Sequence, residues 1–143
     1  MTINQISVFV ENTPGHLAEI TEILGNGGID LRALSIADTK DFGVLRLIVD
    51  NPDKAVQILR EAECIVSVTP VIAVAIEDKP GGLAKTLRVL SDEGISVEYA
   101  YAFIARKHDN AYVVLRVGEN EQTEKLFNEK GIKTVSAEEI FDL

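Results

Sequence analysis

The chain contains the same sequence pattern twice. Residues 10–34 read VENTPGHLAEITEILGNGGIDLRAL, and residues 76–100 read IEDKPGGLAKTLRVLSDEGISVEYA. A proline-glycine pair and a glycine-isoleucine pair recur in register, 66 positions apart. Self-similarity at a fixed spacing indicates repeated structural units. We therefore expect two copies of one unit, formed by residues 1–69 and residues 70–143.

A second match shows where the two copies differ in length. Residues 44–47 (VLRL) resemble residues 114–117 (VLRV), but at a spacing of 70. The second copy therefore has four extra residues, which fall in the polar stretch 106–110. An insertion confined to a polar stretch is typical of a lengthened hairpin loop.

Each copy predicts the same order of elements. Alternating apolar residues indicate strands, and apolar residues three or four apart indicate helices. In the first copy, Thr13 is the expected N-cap, Pro14 suits the first helical turn and Gly28 ends the helix. The predicted elements are a strand through Ile6, Val8 and Val10, a helix from Pro14 to Gly28, strands at 31–38 and 43–50, a helix that begins at residues 51–53, a strand at 64–69, then strand 71–77, helix 80–93, strands 96–106 and 111–118, helix 119–130, strand 132–135 and, from the capping-box spacing of Ser136 and Glu139, a short terminal helix.

The order βαββαβ, present twice, indicates an α+β fold made of two ferredoxin-like units. Right-handed crossovers place the first strand of each unit between its third and fourth strands, with both helices on one face. A unit of about 70 residues buries too little surface to be comfortably stable alone. Pro70 is the only break between the copies. We therefore expect the two units to pair side by side into an antiparallel sheet.

Charge and cysteine content narrow the function. Fourteen Lys and Arg against 23 Asp and Glu give a net charge of −9, which argues against nucleic acid or an anionic membrane as partner. The single cysteine, Cys64, excludes an intrachain disulfide and a cysteine-cage metal site. The sequence has no signal-peptide pattern at its start and no apolar run long enough to span a bilayer. We expect a cytoplasmic protein.

Residues with catalytic or metal-binding chemistry do not form a recognisable set. No metal-ligand spacing joins His16 and His108, and no Gly-x-Ser-x-Gly motif or Ser/His/Asp combination is present. Cys64 begins an apolar stretch, which favours a small core residue over a nucleophile. We expect a non-enzymatic protein without a metal or cofactor.

The turn after the first strand of each copy is the candidate binding feature. It reads ENTPGHL at residues 11–17 and EDKPGGL at residues 77–83. One interpretation is simply a well-formed strand-to-helix turn. The other is a ligand site, because free N–H groups at a helix start attract carboxylates and phosphates, and glycine lets a ligand approach the backbone. Neither phosphate-binding glycine motif, G-x-x-x-x-G-K-[ST] or G-x-G-x-x-G, is present.

The spacing [N/D]-x-P-G-x-L, followed by a Gly-Ile pair, two strands, a helix and a strand, resembles the ACT domain, and both copies match it. The chain is similar to small free-standing proteins of two ACT units, some of which are labelled acetolactate synthase small subunits. The resemblance implies regulatory binding of a small ligand, usually an amino acid, at the seam between paired units. It also implies a homodimer. The alternative is a regulatory subunit that docks to an amino-acid biosynthetic enzyme such as acetolactate synthase.

The same resemblance assigns ligand-binding roles to the two turns and to the starts of the second strands. The family frequently has asparagine where this chain has Asp30 and Ser96; an ionised Asp30 only accepts hydrogen bonds, and Ser96 is shorter. Asp30 either binds a ligand's ammonium group or has a surface or capping role. The candidate ligand residues are Asn12, Thr13, Gly15, His16, Leu17, Asp30 and Leu31 in the first unit, and Asp78, Gly81, Gly82, Leu83, Ser96 and Val97 in the second.

Overall fold

The computed structural model describes residues 1–38, 41–103 and 110–142. Its contacts divide the chain into two compact units. The first unit is Asn4–Thr69, and the second runs from Pro70 onward and includes Met1–Ile3. The amino group of Met1 forms an ion pair with the Glu124 carboxylate, which connects the first residues of the chain to the second unit.

The first unit has the predicted βαββαβ order. Its strands follow the sheet order β2-β3-β1-β4, so β1 lies between the third and fourth strands as expected. Antiparallel pairing places Val8 opposite Leu45, and Leu45 opposite Ile36. The elements are β1 (Ile3–Glu11), α1 (His16–Asn26), β2 (Leu31–Asp38), β3 (Phe42–Val49), α2 (Pro52–Glu61) and β4 (Val66–Glu77).

The second unit repeats this arrangement with the order β7-β4-β6-β5. The predicted short terminal helix is confirmed, and the Ser136 hydroxyl caps its start by accepting a hydrogen bond from the N–H of Glu139. The predicted strand 96–106 is described only as far as Phe103, and the inserted stretch around His108 lies outside the described residues. The further elements are α3 (Gly82–Asp92), β5 (Val97–Ala102), β6 (Asn110–Val117), α4 (Asn120–Glu129), β7 (Thr134–Val135) and α5 (Ala137–Phe141).

The predicted separation of strands 64–69 and 71–77 is wrong, because β4 runs through Pro70 as one strand of twelve residues. Proline fits an extended strand where its missing N–H leaves no ladder bond unmade. The ladder between β4 and β6 begins only at Ile72. The Pro70 carbonyl is still used, since it accepts hydrogen bonds from Arg116 Nη1 at 3.4 Å and Asn120 Nδ2 at 3.2 Å.

Each unit has a separate apolar core between its sheet and its helices. The repeat is visible here as well, because equivalent positions are buried in both units: Leu24 and Leu90 on the first helices, and Leu45 and Leu115 on the third strands. Among the described residues, no helix is long and apolar enough to span a membrane.

Candidate ligand site

The turn between β1 and α1 closes in an unexpected way. Gly15 has φ 86° and ψ −13°, and the N–H of His16 donates to the Thr13 carbonyl at 3.3 Å. These are the angles and the closing hydrogen bond of a type II β-turn with glycine at its third position. The helix therefore begins at His16, and the predicted helix start at Pro14 with Thr13 as N-cap is wrong. Thr13 contributes its backbone carbonyl instead of its hydroxyl.

The turn between β4 and α3 repeats this geometry bond by bond. Gly81 has φ 89° and ψ −8°, and the N–H of Gly82 donates to the Lys79 carbonyl at 3.0 Å. The N–H of Lys79 donates to the backbone carbonyl of Glu77 at 2.9 Å, and the N–H of Thr13 donates to the backbone carbonyl of Glu11 at 2.8 Å. Both proline-glycine pairs thus form the same turn, as their shared sequence suggested.

The helix starts offer fewer free N–H groups than expected. The N–H groups of His16 and Gly82 close the turns and are not available to a ligand. In contrast, no hydrogen bond to the N–H groups of Leu17 or Leu83 is found within the described residues, and neither helix has a side-chain cap. These two groups, at the positive end of the helix dipole, remain as donors for a carboxylate.

His16 is oriented toward its own strand. Its Nδ1 accepts a hydrogen bond of 2.8 Å from the backbone N–H of Glu11, which requires that nitrogen to be unprotonated. The ring thereby caps the end of β1. A contact between His16 and a ligand would be made by the opposite nitrogen, Nε2.

Three of the predicted ligand residues of the first unit lie together. Asn12, Thr13 and Leu17 line a small cavity of about 120 Å³, which Ile36 of β2 and Gly43 of β3 complete from the sheet. Leu17 and Ile36 are 38% and 43% exposed, so the cavity has an open apolar side. Neither β2 nor β3 contributed side-chain candidates at these positions in the sequence analysis, and only the strand register places them here.

Asp30 and Leu31 do not join this cavity. The Asp30 carboxylate forms an ion pair with Arg32 Nε at 3.3 Å, and its N–H donates to the Asp50 carboxylate at 3.0 Å. Leu31 packs against the core of its own unit. Asp30 therefore has local partners, which supports the surface role that the sequence left as one alternative.

The equivalent residues of the second unit behave alike. Ser96 is exposed, and Val97 packs against the second core. Asp78 is exposed, and Leu83 is 40% exposed beside its turn. Gly81 and Gly82, however, line a larger cavity of about 500 Å³. Gly82 is required sterically, since a β-carbon there would overlap the Glu77 carbonyl oxygen.

A family model for an ACT domain pair matches residues 1–143. The chain belongs to the ACT domain family. Its two βαββαβ units are the two ACT domains, and the paired turns that were singled out from the sequence are their equivalent strand-to-helix connections. No curated protein matches the chain significantly in sequence.

Solved structures show the same ACT architecture. A protein from Bacteroides thetaiotaomicron is 38% identical, covers 100% of this chain and 98% of its own, and superposes with a TM-score of 0.92. The regulatory subunit of aspartate kinase from Thermus thermophilus is 16% identical, with coverages of 88% and 91% and a TM-score of 0.64. At 16% identity, the likeness to the aspartate kinase subunit shows a shared fold. Family and fold together favour a regulatory, ligand-sensing role.

Cys64 and the possible metal-binding side chains are the other groups of the ACT pair with reactive chemistry. Cys64 is partly buried against the first core, and this burial, followed by the charge of Glu19, raises the pKa of its thiol. A raised pKa leaves less thiolate at neutral pH, which fits the predicted core role better than a nucleophile. No group of three or more His, Cys, Asp or Glu suited to a metal ion is found within the described ranges.

Proposed function

We propose that this ACT pair is a non-enzymatic sensor of a small ligand, an amino acid, bound at a seam between two ACT units. The observation that carries the proposal is the duplicated type II turn, which leaves the N–H groups of Leu17 and Leu83 unpaired among the described residues at two helix starts. These groups match the carboxylate of an amino acid.

The apolar side of the first cavity supports a second unit as the missing wall. β2 is at one end of the strand order, so one of its edges is open to further pairing within the described structure. Leu34 and Ile36 on this strand are 51% and 43% exposed. Exposed apolar side chains on an edge strand are typical of a surface that another strand or unit covers. This favours a homo-oligomer, with each seam formed by paired ACT units.

Titration with the twenty amino acids tests the proposal. We expect at least one to raise the melting temperature in a concentration-dependent manner, since a ligand that binds only the folded state stabilises it by mass action. Calorimetric titration then provides the affinity and the number of sites. A uniform absence of response across all twenty would contradict amino-acid sensing.

Glycine variants localise the response. Gly15→Ala and Gly81→Ala place a β-carbon at the two turns, and Gly28→Ala is the matched control, because its φ of 76° imposes a similar backbone strain away from the turns. We expect the turn variants to weaken the ligand response and the Gly28 variant to keep it. Equal responses in all three variants would place the ligand elsewhere.

The second candidate is a subunit whose main task is docking to an amino-acid biosynthetic enzyme such as acetolactate synthase. The fold shared with the regulatory subunit of aspartate kinase favours it. The exposed stacked pair of Phe9 and Phe42, with ring centroids 4.8 Å apart, provides an apolar contact surface for such a partner. Mixing this chain with a purified acetolactate synthase catalytic subunit should change the enzyme's elution and its activity. Unchanged behaviour on both measures would contradict docking to that enzyme.

A further inference from the structure

The cavity of about 500 Å³ in the second unit lies in the space enclosed by α3, the end of β4 and the turn after α4. Apart from Gly81 and Gly82, none of its lining residues belongs to the set that the sequence analysis assigned to ligand binding. It is formed within one unit and shares only the Gly81–Gly82 turn with the amino-acid site proposed above.

The first unit has a counterpart at the same place, with about a third of the volume. That cavity measures about 170 Å³ and includes His16, at the position equivalent to Gly82. Matching hydrogen bonds beside the two cavities show that they lie at equivalent places in the two units. Phe9 N–H donates to the Ile65 carbonyl at 3.0 Å, and Ala75 N–H donates to the Lys133 carbonyl at 3.0 Å.

The two cavities have opposite charge. Three glutamates, Glu11, Glu19 and Glu63, line the first cavity. The second is lined by a single glutamate and four lysines: Glu77, Lys79, Lys85, Lys130 and Lys133. On a chain with a net charge of −9 this is a local basic site.

Two of the four lysines have no ion pair in the described part of the chain. Lys79 pairs with Glu77 at 2.5 Å, and Lys133 pairs with Glu139 at 3.5 Å. Lys85 and Lys130 have no such partner among the described residues. They are the cations that can bind an incoming anion without releasing a carboxylate first.

A buried polar group also lines the cavity. Thr86 is 5% exposed, and no hydrogen bond of its side chain is found among the described residues. The first unit has Ile20 at this position. Its hydroxyl can donate a hydrogen bond to an acceptor bound in the cavity. Ala75, Val89 and Ile132 add apolar surface to the lining.

We propose that this cavity, which we call the lysine cavity, binds a small organic anion whose carboxylate or phosphate contacts Lys85 and Lys130 and whose apolar body lies against Val89 and Ile132. The first unit lacks this site because His16 stands at the position of Gly82, Glu19 at that of Lys85 and Glu63 at that of Gly131.

Phenyl phosphate is the probe for this proposal, with phenylacetate to distinguish a phosphate from a carboxylate. Inorganic phosphate and benzyl alcohol represent the two halves alone. We expect saturable NMR shifts of the Gly81, Gly82 and Gly131 amides, with phenyl phosphate or phenylacetate binding more tightly than either half. The absence of saturable shifts up to about 10 mM with both aromatic anions would overturn the proposal.

Lys85→Gln combined with Lys130→Gln should weaken binding about fivefold, since each charge contributes modestly at an exposed rim. Lys54→Gln, an exposed lysine on α2 of the first unit, is the matched control and should bind as the unmodified chain does. Equal affinity of the double variant and this control would overturn the proposal.

Gly131→Glu is the sharpest variant, because the first unit already has Glu63 at this place with φ 65° against 71° for Gly131. A β-carbon at Gly131 meets no atom within 4 Å, so the change should cost only the strain of a side chain at positive φ, which the equivalent Glu63 already bears. We expect it to abolish measurable binding of phenyl phosphate. Thr86→Val, which replaces only the hydroxyl by a methyl group, should weaken binding about threefold. If Gly131→Glu folds, as judged by its circular dichroism, and still binds, the assigned cavity is wrong.

Discussion

Thr123 shows how the two copies differ at single positions. It is fully buried on α4, and its hydroxyl has no hydrogen-bond partner in the described part of the chain. The equivalent residue of the first unit is Ala55, also fully buried. The second unit therefore has a polar atom where the first has only a methyl group, and this atom is a cost to stability.

Thr123→Val should raise the free energy of unfolding by about 1 kcal/mol, because it replaces an unsatisfied hydroxyl by a methyl group of the same size. Urea denaturation measures the change. Thr21→Val is the control, since the Thr21 hydroxyl is within hydrogen-bond distance of the Leu17 and Ala18 carbonyls, and no gain is expected there. A less stable Thr123→Val variant would contradict the assignment of an unsatisfied hydroxyl.

Charge at single residues distinguishes the two turns. The pKa of the Glu77 carboxyl is lowered by its hydrogen bond with Lys79, by the charge of that lysine and, more weakly, by Lys85. At the equivalent place in the first turn, the Glu11 N–H binds His16. Alignment of the two copies shows Lys79 in place of Thr13 and Gly82 in place of His16. The effect of these substitutions on the lysine cavity depends on where the side chains lie.

At the scale of elements, the glycines around α1 have two different roles. Gly25 is exposed within the helix and has no positive φ, whereas Gly28 follows the helix with φ 76°. The prediction that Gly28 ends this helix in the left-handed region is confirmed. The same reasoning missed the helix start, because a proline-glycine pair suits both a first helical turn and a type II turn.

Gly25→Ala should stabilise the protein by about 0.5–1 kcal/mol, because alanine restricts the unfolded chain and no atom lies within 4 Å of the added β-carbon. Gly28→Ala should destabilise it by about 1 kcal/mol, because its φ disfavours a β-carbon. Thermal unfolding followed by circular dichroism measures both changes. Shifts in the same direction would contradict the assigned roles of these glycines.

At the scale of the whole molecule, each unit has an apolar core of its own between its helices and its strands. Leu24 and Leu90 occupy equivalent helical positions and are 0% and 1% exposed. The repeated sequence pattern predicts both as core residues, since helical spacing alone places them on the buried face.

Leu24→Ala and Leu90→Ala should each lower the free energy of unfolding by about 2–5 kcal/mol, through lost burial and the cavity that remains. Leu83→Ala is the matched control on α3, because its side chain is 40% exposed, and a much smaller loss is expected. Guanidinium denaturation measures all three variants. A loss for Leu83→Ala as large as that for Leu90→Ala would contradict the assigned burial.

The sequence by itself determined the duplication, the βαββαβ order of each copy, the core positions and the turns that mark an ACT pair. These depend on local spacing and turn chemistry, which residues close in the chain decide. Tertiary structure alone decided that β4 continues through Pro70 and that His16 caps its own strand. It also decided that Lys85 joins Lys130 around one cavity. Those two lysines are far apart along the chain, and only the folding of α3 against the turn after α4 places their charges around the same space.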